Sequence, residues 1–130
     1  MAGIEKSNYV DKAEEVIKGL RIKDKNGKLI LTLTTSKIRN ILAMVSELYN
    51  EVQRQRDAVL SDEMASRVKY LKMRIAYEAG RDEKTVKPFV QKAELMEEID
   101  KIGKSREKLL TFCNYMEALV AYHKYYGGKD

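Results

Sequence analysis

The 130-residue sequence contains very little of several residue types that mark common functional classes. It has one cysteine, one histidine, one proline and no tryptophan. The single cysteine, Cys113, cannot close a disulfide within the chain, and without a CxxC pair the usual sign of a zinc site is missing. Because Cys113 falls on the apolar face of a helical segment, we interpret it as a buried thiol.

Long apolar runs are also missing from the sequence. No stretch approaches the roughly 18 apolar residues that span a bilayer, and the first residues lack the apolar core of a signal peptide. We therefore expect a soluble, cytoplasmic protein that has no membrane partner.

The motifs of common enzymes and cofactor sites do not occur either. There is no GxxxxGK phosphate loop, no GxGxxG turn, and no HExxH or EF-hand spacing. His123 lies ten residues from Cys113, which is about 15 Å along a helix, so these two cannot form a catalytic pair within one subunit. We interpret His123 as a hydrogen-bonded core residue and the acidic residues within 94–100 as a solvated face. We expect no catalytic residue, no metal and no cofactor.

What the sequence does have is helical periodicity. Hydrophobic residues make up 44% and charged residues 35%, which suits a helical domain with a core and a polar exterior. Apolar residues recur at three- and four-residue spacing in successive segments. We predict an all-α fold, in which residues 1–130 form one compact bundle of about five helices. Residues 1–8 and 127–130 are expected to be mobile.

Two segments depart from simple helical periodicity. Residues 21–33 are predicted to be a basic loop and an extended connector; Asn26-Gly27 is a turn signal, and a hairpin is the lesser alternative. The predicted fourth helix begins near Pro88 and carries two apolar stripes on nearly opposite sides. Such a helix is covered on two sides, bends near Ala93, or touches another subunit, and the sequence leaves these alternatives open.

Residues 61–81 carry two adjacent stripes at helical spacing. One stripe is apolar and predicts the buried side of a helix: Met64, Val68, Leu71, Ile75 and Ala79. The other alternates arginine with tyrosine within roughly a quarter turn of the helix: Arg67, Tyr70, Arg74, Tyr77 and Arg81. Arginine binds phosphate oxygens and tyrosine rings stack on bases, so this stripe is a candidate contact with nucleic acid.

A structural interpretation of the second stripe is also open. Glu63 and Arg67 are four residues apart, as are Arg74 and Glu78, so they fit ion pairs on a solvated helix. The tyrosines would then pack against a neighbouring helix.

The charge distribution favours an anionic partner without proving one. The net charge is +5, and residues 1–90 carry all of it, with 18 basic and 13 acidic groups against 7 of each in residues 91–130. Lys37 and Arg39 lie in the first turn of the predicted second helix, where cations oppose the helix dipole. Their placement is mildly unfavourable for the helix alone.

Three extended segments together resemble a known family. They are LTTSKIRNILAMVSELYNEV (residues 33–52), RVKYLKMRIAYEAGRD (67–82) and MEALVAYHKYYGGKD (116–130). In order and spacing they look like the small helical subunit of the type III-A CRISPR–Cas interference complex, the Csm complex. The resemblance covers nearly the whole chain, and the first thirty residues are the least characteristic.

The resemblance implies a compact helical bundle that acts in antiviral defence without being a nuclease itself. In this family several copies stack along the inner side of a crRNA-bearing filament, opposite the backbone subunits. Target RNA is cut by the backbone subunits, whereas DNA cleavage and cyclic oligoadenylate synthesis belong to the large subunit. The small subunit lines the channel and holds the guide–target RNA duplex through sugar-phosphate contacts.

The family resemblance and the charge pattern together define a hypothetical RNA-binding set. It comprises the basic residues at both ends of the second helix, those of the arginine stripe and those nearby: Lys37, Arg39, Arg54, Arg56, Arg67, Lys69, Arg74, Arg81, Lys84 and Lys87. Tyr70 and Tyr77 are weaker candidates. The expected partners are crRNA, target RNA, other Csm subunits and further copies of the chain. The alternative is a purely structural assembly subunit that contacts only proteins.

Overall fold

The computed structural model describes residues 3–130, which form six α-helices and one small hairpin. Their order is α1 (Tyr9–Leu20), β1 (Ile22–Lys23), β2 (Leu29–Ile30), α2 (Thr35–Gln53), α3 (Asp62–Arg81), α4 (Val86–Lys92), α5 (Leu95–Ile102) and α6 (Arg106–Tyr125). The predominantly helical fold agrees with the prediction. The helix count does not, because the predicted fourth helix is two helices.

The last helix, α6, is the centre of the fold. It packs against α1, α2 and α5, while α3 packs against α2, α4 and α5 on the other side of the core. Eight residues of α6 are buried, and they occupy most of its circumference: Leu109, Thr111, Phe112, Cys113, Tyr115, Met116, Leu119 and His123. Within the chain this helix is therefore central.

Hydroxyl caps fix the beginnings of the three long helices. In each case the side-chain oxygen accepts a hydrogen bond, 3.1 to 3.3 Å long, from the backbone N–H three residues further on. The caps are Thr34 before α2, Ser61 before α3 and Ser105 before α6.

The break between α4 and α5 resolves the two opposing apolar stripes. Glu94 adopts a left-handed conformation with φ of 55°, which is uncommon for a residue other than glycine. This single residue re-phases the chain, so that both stripes face the core: Val86, Phe89, Val90 and Ala93 before it, and Leu95, Ile99 and Ile102 after it. The Tyr115 hydroxyl fixes the break by donating to the Ala93 carbonyl over 2.9 Å. Of the alternatives left open, a bend near Ala93 therefore describes this chain.

Residues 21–33 contain a short antiparallel hairpin, which is the alternative that the sequence favoured less. Ile22 pairs with Ile30 and Lys23 with Leu29. The Asp24 carboxylate accepts from the backbone N–H groups of Asn26 and Lys28, 2.9 Å each, which orders the turn.

The end of the chain lies against the beginning of α2. His123 is buried, and its Nε2 donates to the Leu33 carbonyl over 2.6 Å, as expected of a core histidine. Lys129 accepts a hydrogen bond from the backbone of Thr35. The mobility of residues 1–8 and 127–130 stays a prediction, and residues 1 and 2 lie outside the described part of the chain.

None of the helices in residues 3–130 is both long enough and apolar enough to span a bilayer.

Candidate nucleic-acid interface

The two stripes predicted for α3 point to different surroundings. All five residues of the apolar stripe are buried, which confirms that prediction. The second stripe lies beside it at the edge of the core, and we call its five residues the arginine–tyrosine face: Arg67, Tyr70, Arg74, Tyr77 and Arg81. Tyr70 is 58% exposed and Tyr77 is 65% exposed, so neither ring is buried between helices of this chain.

Two arginines of this face lie across their own tyrosines. The guanidinium carbon of Arg74 is 5.9 Å from the centre of the Tyr70 ring, and that of Arg81 is 5.8 Å from the Tyr77 ring. Both pairs are four residues apart on α3. Glu78 contacts Arg81 at 3.5 Å, in place of the expected pair with Arg74. Arg74 therefore keeps a charge that no carboxylate within 4.0 Å among residues 3–130 neutralises.

The α2/α3 groove continues this face towards α2, which runs antiparallel to α3. One cleft along the groove lies between the beginning of α2 and the end of α3, and it is lined by Lys37, Asn40 and Arg81 among others. A second, smaller cleft further along is lined by Glu47, Arg67 and Arg74 among others. The groove thus brings four of the predicted contact residues into one row: Lys37, Arg67, Arg74 and Arg81.

Two of these four cations are engaged by carboxylates from other segments of the chain. Arg67 pairs with Glu51 on α2, rather than with Glu63 as the helix spacing suggested, and Lys37 pairs with Asp82. The hydrogen bond from Lys37, together with those from the hydroxyl and backbone of Thr85, holds the pKa of the Asp82 carboxyl well below its usual range. These two ion pairs reduce the positive charge that the groove offers to an outside anion.

The other predicted contact residues are more scattered. Lys69 lies on the opposite flank of α3, in a cleft shared with α5, and Arg56 faces a cleft between the first residues and α6. Arg54 is exposed at the C-cap of α2, and Arg39 is exposed near its beginning. Lys84 and Lys87 follow α3, next to the end of the groove where Arg81 lies. The structure does not bring Lys69 or Arg56 together with the arginine–tyrosine face.

Sequence reasoning missed an ionic cluster between α1 and the beginning of α5, in which Glu98 is buried. The Lys12 ammonium lies 3.4 Å from carboxylate oxygens of both Glu94 and Glu98, and the Glu98 side chain is only 2% exposed. The backbone N–H of Ile4 donates to Glu98 over 3.3 Å. The interpretation of the acidic residues within 94–100 as a solvated face is therefore wrong for Glu98. The sequence contained one signal of this burial: Glu98 follows Leu95 by three residues, which places it on the apolar stripe.

Cys113 and His123 are both committed to packing. Burial raises the pKa of the Cys113 thiol to about 12, which disfavours the thiolate that would act as a nucleophile. His123 uses Nε2 on the Leu33 carbonyl. Over the part of the chain that the structure describes, no three histidine, cysteine or acidic residues cluster in a way that could hold a metal ion. The geometry that remains suited to a ligand is the cationic and aromatic surface of α3.

Comparison with known proteins assigns the family. A family model described as Csm2 Type III-A matches residues 8–129. The chain is 46% identical to the CRISPR system Cms protein Csm2 of Streptococcus thermophilus, over 100% of both chains. It is 44% identical to the Mycobacterium tuberculosis protein of that name, over 95% of this chain and 94% of the relative, and 38% identical to that of Enterococcus italicus, over 92% and 87%. The chain belongs to the Csm2 family of type III-A CRISPR systems.

Proposed function

We propose that this chain acts as the small subunit of the type III-A Csm complex by binding RNA without regard to sequence and without catalysis. In this proposal it lines the channel of the filament and stabilises the guide–target RNA duplex. Its partners are crRNA, target RNA, the other Csm subunits and further copies of itself. The arginine–tyrosine face supplies the RNA contact.

The observation that carries the proposal is the exposed cationic row on α3. Arg67, Arg74 and Arg81 form this row, and Glu78 is the only acidic group among residues 65–81. Lys69 and Lys72 of the same segment line the cleft beside α5 instead. Arg74 and Arg81 are exposed beside the buried stripe of α3, so the packing of that stripe sets where their backbone lies. Guanidinium groups spaced along an exposed helix face suit the phosphates of an RNA backbone.

Independence from sequence follows from what a guide complex requires. Every guide differs, so a subunit that lines the duplex gains affinity from phosphates, while base pairing supplies the specificity. Arginine and lysine contacts to phosphates carry no sequence information. A surface of this composition meets that requirement.

The test is a salt titration of RNA binding with the full-length chain and its Arg74→Gln/Arg81→Gln variant. These two arginines are preferred to Arg67, because Arg67 pairs with Glu51 and its loss would disturb the α2/α3 contact. We expect the variant to bind all RNA sequences more weakly by the same factor. The slope of log K against log salt should fall by about two, roughly one for each lost phosphate contact.

The matched control is Arg21→Gln/Lys25→Gln, which also removes two positive charges. Arg21 likewise lies over a tyrosine, 5.0 Å from the centre of the Tyr126 ring, but at the hairpin end of the molecule. If the α3 variant keeps the affinity and salt slope of the wild type, or loses no more than this control, the proposed function is wrong.

A second candidate function is supported by the ion pairs of Lys37 and Arg67. Cations that are engaged by Asp82 and Glu51 can serve the packing of α2 on α3 without any RNA. A purely structural subunit would then contact only other Csm proteins. In that case the wild-type chain would bind RNA no better than Arg74→Gln/Arg81→Gln does, and the variant would co-purify less with the other subunits if the face is a protein contact.

A further inference from the structure

Three large side chains on α3 are exposed in one row, and phosphate binding does not account for them. Tyr70 and Met73 are each 58% exposed and Tyr77 is 65% exposed. We call these three residues the aromatic ridge. Phosphate contacts need cations and hydrogen-bond donors, whereas the ridge presents ring faces and a thioether to solvent. A row of three such residues on one helix indicates a ligand that has flat apolar surfaces.

The spacing of the ridge separates its two rings. Tyr70 and Tyr77 are seven residues apart, which is about 10 Å along a helix and nearly two turns. The two rings therefore lie on the same side of α3, too far apart to stack on each other. Each ring is accompanied by its own arginine, since Arg74 lies across Tyr70 and Arg81 across Tyr77. The unit of one ring and one guanidinium is thus repeated.

A ring beside a guanidinium matches the chemistry of one nucleotide. Aromatic rings stack on the faces of bases, and the neighbouring arginine reaches the phosphate of the same backbone. A closed RNA duplex hides its base faces inside the stack, so such a unit gains its full contact only from bases that are unpaired.

The charge around the ridge favours RNA over an apolar protein surface. Within residues 65–81 the only acidic group is Glu78, and it is engaged by Arg81. The five basic groups of the same segment include Arg74, which has no such partner in the described chain. A protein partner would have to be strongly acidic and apolar together, whereas unpaired RNA combines negative charge with flat rings in every nucleotide.

We propose that the aromatic ridge binds the faces of unpaired bases, so that the α3 surface gains from unpaired nucleotides contacts that a closed duplex does not offer. Within the complex these would be nucleotides that the guide–target duplex leaves unpaired, while the arginines hold the phosphates of the duplex. This inference rests on the proposed RNA-binding function and adds base-face contacts to its phosphate contacts. It requires no particular base, because every base has a face on which a ring can stack.

The experiment compares three RNA ligands: a single strand, the same strand annealed to its complement, and the same strand with abasic riboses at its central positions. The full-length chain is tested with Tyr70→Ala/Tyr77→Ala, with Tyr70→Phe/Tyr77→Phe and with Tyr125→Ala. Tyr125 is a matched control because it is 78% exposed but belongs to α6. Thermal unfolding of every variant shows whether it is folded, and the exposed positions make little contribution to the core.

We expect the double alanine variant to bind the single strand at least about thirtyfold more weakly, because two stacking rings are lost. Its affinity for the duplex and for the abasic strand, and the slope of its salt dependence, should stay as in the wild type. The double phenylalanine variant should retain binding, because the ring rather than the hydroxyl makes the contact. Tyr125→Ala should bind as the wild type does.

Other outcomes overturn the inference. Wild-type protein that binds the abasic strand as well as the intact one rules out base stacking. So does a Tyr125→Ala variant that loses as much as the ridge variant. Unchanged RNA binding by Tyr70→Ala/Tyr77→Ala, with loss of co-purification with Csm subunits, identifies the ridge as a protein contact.

The two proposals fail separately. If Arg74→Gln/Arg81→Gln weakens binding to all three ligands and the tyrosine variants do not, the phosphate contact stands and the base contact falls. If neither pair of substitutions changes binding to any ligand, both proposals are wrong.

Discussion

The two longest helices, α3 and α6, have 20 residues each and use the same residue types in opposite ways. In α6 the polar groups of buried aromatic residues bond inside the molecule: the Tyr115 hydroxyl donates to Ala93 and the His123 ring to Leu33. In α3, Tyr70 and Tyr77 stand in solvent beside arginines. The number of tyrosines in a helix therefore does not indicate its role. The role depends on how much of the helix surface is buried by neighbouring helices.

If the proposed function is right, α6 carries the stability of the protein and the exposed side of α3 carries its RNA binding. Substitutions in α6 should change the free energy of unfolding, and substitutions on the exposed side of α3 should change RNA binding with little effect on folding. Each prediction below tests one part of this separation.

The largest expected effect is a loss of stability when the core of α6 is altered. Phe112→Ala removes a fully buried ring of α6 and should lower the free energy of unfolding by about 3–5 kcal/mol. Tyr77→Ala removes a ring of similar size from α3 and should change it by less than about 0.5 kcal/mol. Denaturant unfolding followed by circular dichroism measures both. Equal losses would mean that the exposed side of α3 is part of the core.

The buried histidine should give the next largest effect. His123→Ala removes the donor to the Leu33 carbonyl and leaves a cavity, so we expect a loss of about 2–4 kcal/mol. The adjacent Lys124→Ala, which is exposed on the same helix, serves as the control. A histidine variant as stable as this control would show that the hydrogen bond does not hold α6 against the connector.

A substitution in α3 should stabilise the protein. Gly80 lies in the last turn of the helix, and a Cβ built there meets nothing within 4 Å. Gly80→Ala should therefore raise the free energy of unfolding by about 0.5–1 kcal/mol, because alanine loses less backbone freedom on folding. RNA affinity should not change. Destabilisation would mean that the end of α3 is not helical in solution.

The smallest expected effect is on the stability of the protein at acidic pH. Because the Asp82 carboxyl has a lowered pKa in the folded state, its contribution to stability is present above the ordinary carboxyl pKa of about 4 and is lost as the pH falls further. Asp82→Asn should remove this contribution, so that the variant loses less stability than the wild type between about pH 4 and pH 2. Parallel acid-unfolding curves for the two proteins would contradict the ion pair with Lys37.

Helices and their buried stripes could be predicted from the sequence because periodicity and capping are local. The apolar stripe of α3 is buried as predicted. The break between α4 and α5 could be stated only as one of several alternatives, since a left-handed glutamate at position 94 has no local signature. It is imposed by the need to bury two opposing stripes.

The candidate site could be predicted from the sequence only in part, again because only its helical periodicity is local. Helical phase predicted that the arginine–tyrosine stripe flanks the core, but the partners of its cations depend on tertiary neighbours. Arg67 meets Glu51 from α2, and Arg74 lies over Tyr70 rather than beside Glu78. The burial of Glu98 depends likewise on Lys12, which is far away in the sequence.

The most direct test of the central claim is a cryo-EM reconstruction of a Csm complex that contains this chain, its guide and target RNA. The account predicts that the guanidinium groups of Arg74 and Arg81 lie within hydrogen-bonding distance of RNA phosphates. A map in which the arginine–tyrosine face lies against another protein subunit or in bulk solvent, away from all RNA, would contradict it.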